Sequence, residues 1–372
     1  MIYLVAGTRP NFMKIAPIWR TLHGRDRPTR LMHTGQHFDA TMSDVFFRDL
    51  GMPAPDACLE VGGGSHAQQT AAALVGIEAD LVRSRPDMVV VVGDVTSTLA
   101  AALAASKLGI PVVHVEAGLR SRDWAMPEEI NRVLTDHLAD LLLTPSHDAE
   151  LNLIAEGVPK ERIRFVGNVM IDSLHRARER PTDAVARFDL PRRAFALATL
   201  HRPANVDTAA RLSATLDAIE TVSSRIPLLF PVHPRTVARA ASLGLATRLR
   251  SIPKLRLTEP LGYNDFVTLL SACAFVVTDS GGIQEESTAL GVPCLTMREG
   301  TERPITVTMG TNVVVGLDRE KIARESEAIL AGKAKRGHVP EGWDGKASAR
   351  IADALERFLA GDPPPKTAGP RA

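Results

Sequence analysis

Thr278-Asp279-Ser280-Gly281-Gly282-Ile283-Gln284-Glu285-Glu286 follows directly on the apolar run Ala274-Phe275-Val276-Val277. Apolar residues that stop at Ser-Gly-Gly and resume as Gln-Glu-Glu predict a strand, a tight turn and a helix start. Such a turn leaves backbone N–H groups at a helix N-terminus without intrahelical partners. These attract phosphate, helped by the positive end of the helix dipole. The glycines Gly281 and Gly282 let an anion approach the backbone with no Cβ in the way. Glu286 falls in the first turns of that helix, where a carboxylate can accept both hydroxyls of a ribose. Taken alone, the same stretch also reads as an ordinary turn with an acidic helix start.

Further candidates stand where other apolar runs end. Ile2–Ala6 runs into Gly7-Thr8-Arg9-Pro10, and Lys14 lies early in the helix that follows, so Arg9 and Lys14 form a possible clamp on negative charge. Met88–Val92, a nearly pure β-branched run, ends in Gly93-Asp94, and Val112–Val115 ends in Glu116. In open α/β sheets, ligands bind just beyond the carboxyl ends of the strands, which is where Asp94 and Glu116 fall. Pro127-Glu128-Glu129-Ile130-Asn131-Arg132 opens a helix, and the sequence does not separate a cap from a catalyst there. In the second half, His201, His233 and Arg303 again follow strand-like runs.

The elements that must position these residues alternate strand and helix, the pattern of parallel α/β sheets. The 372 residues exceed one typical core. The expected fold is α/β, two Rossmann-like doubly wound domains facing each other across a cleft. Residues 1–170 form the domain carrying acid and base groups, and residues 171–346 the nucleotide-binding domain. The Arg176–Arg193 stretch, with Pro181 and Pro191, reads as the linker. A helix over 347–360 is expected to pack back on the first domain, and residues 361–372 form a disordered tail.

A formal charge of +1 with interspersed signs, and 4% aromatic residues, argue against a nucleic-acid surface or a membrane patch. No apolar run approaches the roughly 18 residues that span a bilayer. The chain enters its first strand with no leader pattern. Cys58, Cys273 and Cys294 lack metal or redox spacing and suit a reducing compartment. A soluble, cytoplasmic protein without metal or cofactor is expected. Walker, Gly-x-Gly-x-x-Gly, Gly-x-Ser-x-Gly and His-Glu-x-x-His patterns are missing from the sequence, which favours nucleotide-sugar chemistry over hydrolysis of a nucleoside triphosphate or hydride transfer.

Gly7-Thr8-Arg9-Pro10, Gly93-Asp94, His114–Arg120, Pro127–Arg132, Pro231-Val232-His233-Pro234, Thr278–Glu286 and Thr301-Glu302-Arg303-Pro304 together resemble the non-hydrolysing UDP-N-acetylglucosamine 2-epimerases, in order and spacing, to about residue 316. The resemblance implies a glycosyltransferase-B-like homodimer that interconverts UDP-GlcNAc and UDP-ManNAc for cell-surface polysaccharide precursors. It implies acid/base roles for Asp94, Glu116 and Glu128, with His201 near the leaving phosphate. It places Arg9, Lys14, His233, Ser280 and Gly281 on the diphosphate, with Gly282 shaping the turn. Glu286 takes the ribose, and Phe266, Arg132 and Arg303 are further substrate contacts.

The chain departs from the common pattern at Asn11, Ala204 and Ile305, where glutamate is usual. Gln36 and His37 of a frequent activator site are present, but the helix around Gln68–Ala73 lacks its arginine, which speaks against that site. An epimerase for another UDP-2-acetamido sugar and a UDP-sugar glycosyltransferase of the same fold are the alternatives. A hydrolysing epimerase and a catalytically silent UDP-sugar sensor are also open.

Overall fold

The computed structural model describes residues 1–35 and 50–362. Gln36 and His37, and the tail from Pro363 onward, lie outside the described residues. Two compact units result: residues 1–173 with 341–372, and residues 174–340. Each is α/β and Rossmann-like, the class expected from the sequence.

Among the described residues, the first unit is built on a parallel sheet of seven strands in the order β3-β2-β1-β4-β5-β6-β7. These are β1 (Ile2–Ala6), β2 (Thr29–His33), β3 (Ala57–Cys58), β4 (Met88–Val92), β5 (Val112–Val115), β6 (Leu141–Thr144) and β7 (Ile163–Phe165). The order reverses between β1 and β4, the switch point at which doubly wound sheets bind ligands. Every residue of β1, β4, β5 and β6 is buried, as parallel strands covered on both faces require. Each such aliphatic side chain contributes about 1.5–3 kcal/mol by leaving water.

Helix α1 (Arg9–His23) follows β1, and its start is tied to the sheet by Asn11. The Asn11 carbonyl accepts from the Thr8 N–H and hydroxyl at 3.1 and 2.9 Å, and its amide donates to Val92 O at 2.9 Å. The departure from glutamate at this position thus joins the β1 turn to the end of β4. Pro17 lies within α1 and offers no N–H to the carbonyl four residues back, that of Met13. The Ser173 hydroxyl supplies the missing donor, 2.5 Å from Met13 O.

Helices α2 (His66–Ser84), α3 (Thr96–Lys107), α4 (Pro127–Leu138), α5 (His147–Ala155) and α6 (Val169–Arg178) complete the winding. The boundary between the units falls inside α6. Asp172, on α6, accepts from the N–H groups of Ala347 and Ser348 and so caps the C-terminal helix 347–359, which packs against α1.

The second unit has six parallel strands in the order β10-β9-β8-β11-β12-β13. They are β8 (Ala196–Thr199), β9 (Leu228–Pro231), β10 (Leu255–Thr258), β11 (Phe275–Thr278), β12 (Cys294–Thr296) and β13 (Asn312–Val314). The short edge strands β3 and β13 were not legible in the sequence, since strands of two or three residues carry no periodicity. The supposed linker contains a short helix, α7 (Ala184–Arg187). Next come α8 (Pro203–Val206), α9 (Ala209–Ser223), α10 (Pro234–Ser242), α11 (Ala246–Ser251), α12 (Tyr263–Ala272), α13 (Gly281–Leu290), α14 (Pro304–Thr308) and α15 (Arg319–Leu330). The C-terminal helix 347–359 is α16. Among the described residues, no helix is long and apolar enough to cross a membrane.

Candidate active site

In the first unit, the carboxyl ends of β4 and β5 carry Asp94 and Glu116. Gly93 adopts φ +66°, and a Cβ there would lie 2.9 Å from Lys14 Nζ and 3.7 Å from Glu116 Oε2. The turn therefore demands glycine twice over, for its conformation and for the space taken by Lys14. Lys14 and Glu116 form an ion pair whose side chains are 9% and 7% exposed. The sequence suggested that Lys14 clamps phosphate; the structure places its ammonium on the Glu116 carboxylate. Glu116 itself has φ +71°, a left-handed conformation that a non-glycine residue adopts at a cost of about 1–3 kcal/mol.

Helix α4 brings the partners of Asp94. Arg132 donates to Asp94 Oδ2, and the Asn131 amide donates to Asp94 O at 2.9 Å. The two glutamates at the start of α4 are separated by their surroundings. Glu129 is buried and accepts from the N–H groups of Ser121 and Arg122 at 2.9 and 2.8 Å and from Arg132 at 2.8 Å. Glu128 is half-buried and makes no hydrogen bond or ion pair with the described residues. Glu129 is thus committed to the loop, while Glu128 is not.

Behind these carboxylates lies a group of buried residues to which the sequence reading assigned no role. His114 Nδ1 is 2.6 Å from Asp136 Oδ1 and Nε2 is 2.8 Å from Gly93 O, so both ring nitrogens face oxygen acceptors. Asp136 Oδ2 accepts from Gly118 N at 3.1 Å and Arg120 Nη1 at 2.7 Å. Burial pushes the Asp136 carboxyl up, but the charges and hydrogen bonds of His114 and Arg120 outweigh it and hold the group below the usual range. The network fixes the backbone of both acid-bearing turns. Arg9, also assigned to the diphosphate, is exposed at the start of α1.

In the second unit, Ser280 stands at the N-cap position of α13 without a side-chain capping bond, and the first turn holds Gly281 and Gly282 and no acidic residue. A Cβ on Gly281 would lie 2.8 Å from Glu302 Oε1. Glu302 is buried, with Arg298 Nη1 at 2.6 Å and Arg202 Nη2 at 3.3 Å. Arg303, expected on the nucleotide, lies with its Nε 2.8 Å from Glu285 Oε1. His201 is held by Asp279, whose fully buried carboxylate accepts from the N–H groups of His201 and Arg202 and from the Asn205 amide. His201 Nδ1 is 3.3 Å from Asp279 Oδ1, and the rings of His201 and His233 are 5.8 Å apart. His233 Nδ1 accepts from Arg235 N at 3.2 Å and caps α10. The signal for Asp279 was an acid closing a β-branched strand, but the turn after it drew the reading instead.

Glu286 is buried on α13, with Tyr263 donating to its Oε1 at 2.8 Å. Burial, with the neighbouring Glu285 charge, pushes its carboxyl up to about 7, although the Tyr263 hydrogen bond lowers it. Phe266 is half-buried on α12 beside the apolar cluster of this sheet. Among the described residues, no group of acids, histidines and cysteines is arranged to hold a metal ion.

Acids on the strand ends of one Rossmann-like unit and a glycine-bearing helix N-terminus in the other suit an enzyme acting on a nucleotide sugar. The model of the UDP-N-acetylglucosamine 2-epimerase family matches residues 20–356, and the chain belongs to that family. It is 40% identical to the UDP-N-acetylglucosamine 2-epimerase of Methanocaldococcus jannaschii, over 95% of this chain and 98% of that one. It is also 40% identical to the UDP-2,3-diacetamido-2,3-dideoxy-D-glucuronate 2-epimerase of Pseudomonas aeruginosa, over 96% and 99%. The crystal structure of the M. jannaschii enzyme in complex with UDP-GlcNAc and UDP is similar at a TM-score of 0.89, covering 96% of this chain and 99% of that one.

Proposed function

We propose that the chain interconverts UDP-GlcNAc and UDP-ManNAc. The C2 proton of the sugar is not next to a carbonyl, so a carboxylate alone would remove it too slowly. Breaking the C1–O bond, with UDP leaving on its electron pair, puts positive charge on C1 and acidifies C2–H. Loss of that proton to a carboxylate gives 2-acetamidoglucal. A proton then returns to C2 on the opposite face as the UDP oxygen re-adds to C1. The sequence needs a grip on UDP, acids able to exchange protons around C2, and exclusion of water.

Asp94, Glu116 and Glu128 supply the acids in this reading, with His201 at the leaving phosphate. Ser280, Gly281, His233 and Arg9 hold the diphosphate, with Gly282 shaping the turn and Lys14 setting the charge on Glu116. Glu286 takes the ribose, and Phe266, Arg132 and Arg303 line the substrate or hold its neighbours. The observation that carries the reading is Glu128, half-buried and with no hydrogen-bond or ion-pair partner among the described residues, on the helix whose Arg132 also holds Asp94. A glycosyltransferase would leave that pair of acids without a task. The enzyme is proposed to act in the cytoplasm as a homodimer supplying polysaccharide precursors.

The 40% identity to an epimerase of a diacetamido uronate favours a second reading, a differently substituted UDP-2-acetamido sugar as substrate. Incubation with UDP-GlcNAc in heavy water tests both. Deuterium at C2 of UDP-GlcNAc and UDP-ManNAc supports the first. Turnover of a 3-acetamido analogue alone supports the second, and transfer of sugar without C2 exchange overturns both. Release of free ManNAc and UDP would mark a hydrolysing enzyme.

A further inference from the structure

We infer that Tyr263 is a positioning residue for Glu286: its hydroxyl occupies one carboxylate oxygen and leaves the other to the ribose of a bound uridine nucleotide. The inference rests on the reading that Glu286 takes the ribose. Tyr263 opens α12 and reaches Glu286 on α13, where its hydroxyl donates to Oε1 at 2.8 Å. Both residues are buried, and Glu286 is 1% exposed. Glu286 Oε2 has no hydrogen-bond partner among the described residues. A carboxylate oxygen left open inside a protein is costly to keep unless a ligand supplies donors, and a vicinal diol supplies two.

The surroundings make this pair sensitive to protonation. The elements packed against α13 are β11, β12, β13 and α14, together with α12 through Tyr263; the charged residue of α12, Asp265, pairs with Arg187. The strands bring no charged group; Cys294 on β12 is a thiol that burial pushes up to about 11. Arg303, at the N-terminus of α14, pairs with Glu285. The Glu286 charge therefore answers to burial, to Tyr263 and to Glu285, with its carboxyl at about 7. With its carboxyl raised towards neutrality, Glu286 is protonated in part of the ligand-free population, and the protonated form donates from one oxygen instead of accepting. A diol donating to Oε2 favours the ionised form, so nucleotide binding releases a proton from this carboxyl and tightens as pH rises through about 7. The Tyr263 hydroxyl holds the midpoint down; without it the carboxyl rises further.

The test is the affinity for UDP-glucose, whose two phosphates are diesterified and do not titrate near neutrality, measured from pH 5.5 to 9. Wild type, Tyr263→Phe and Glu286→Gln are compared, the last carrying whatever pH dependence His201 and His233 contribute. For wild type relative to Glu286→Gln, binding is expected to tighten with a midpoint near 7. In Tyr263→Phe the midpoint moves up by about one pH unit, so binding weakens about fivefold at pH 7 and comes within twofold of wild type at pH 9. Calorimetry of wild type at pH 7, in two buffers of unlike ionisation enthalpy, should show about half a proton more released than in Glu286→Gln, a readout that does not depend on the tyrosine variant folding. Equal midpoints in wild type and Tyr263→Phe, or equal proton release in wild type and Glu286→Gln, overturn the inference. If Glu286→Gln binds as tightly as wild type at every pH, the ribose reading itself fails, which is a separate result.

Discussion

Replacing Lys14 by methionine should destabilise the first unit far more than the loss of a surface charge. The Lys14–Glu116 pair is more than nine-tenths buried, so the variant leaves a carboxylate inside the protein with its ammonium partner gone. Breaking a buried pair from one side costs about 3–5 kcal/mol, against about 0–1 kcal/mol for an exposed pair. Glu116→Gln, which strands the ammonium instead, should cost a similar amount. In the double variant neither charge remains, and the combined cost should fall short of the summed single costs by at least about 2 kcal/mol.

Denaturant unfolding followed by tryptophan fluorescence suits the measurement, because Trp19, Trp124 and Trp343 all belong to the first unit. All three variants should also lose turnover. Single costs below about 1 kcal/mol, or additivity within about 0.5 kcal/mol, would show that the pair does not hold the site together. Loss of UDP affinity without loss of stability in Lys14→Met would instead return Lys14 to the phosphate role that the sequence suggested.

Asp94→Asn should abolish deuterium incorporation at C2 while leaving UDP affinity within a few-fold; normal epimerisation would show that the reacting acids are misassigned. Gly118→Ala should destabilise by roughly 3 kcal/mol or more, measurable by the same fluorescence assay. Gly118 has φ +83°, and a Cβ there would lie 2.3 Å from the Ala149 carbonyl oxygen; a change under about 1 kcal/mol would refute the clash. Asp80 accepts from Tyr3, Arg30 and Arg83. Burial alone would raise its carboxyl, but these bonds hold it at about 2 against an ordinary 3.8. Because the folded value is the lower one, its contribution of roughly 2–3 kcal/mol is complete above pH 4 and vanishes as pH falls towards 2. The stability gap between wild type and Asp80→Asn should therefore narrow over that window, and a gap that stays constant would contradict the assignment.

Much of the architecture was legible beforehand because it is local. Strand, turn and helix are encoded by runs of neighbouring residues, so β1, β4, β5, β11 and the turn into α13 could be placed from hydrophobic periodicity and glycine positions. The ends of β4, β5, β8 and β11 marked Asp94, Glu116, His201 and the Ser280 turn, since a parallel sheet delivers its ligand-facing residues at one edge. Tertiary structure alone decided which charges meet. Nothing in the spacing of Lys14 and Glu116, of Asp94 and Arg132, or of Tyr263 and Glu286 announces a contact. Nor does the Glu128-Glu129 doublet say which member is tied into a loop. Such pairings depend on side chains brought together from separate elements, and burial then sets their strength by removing the water that would screen them.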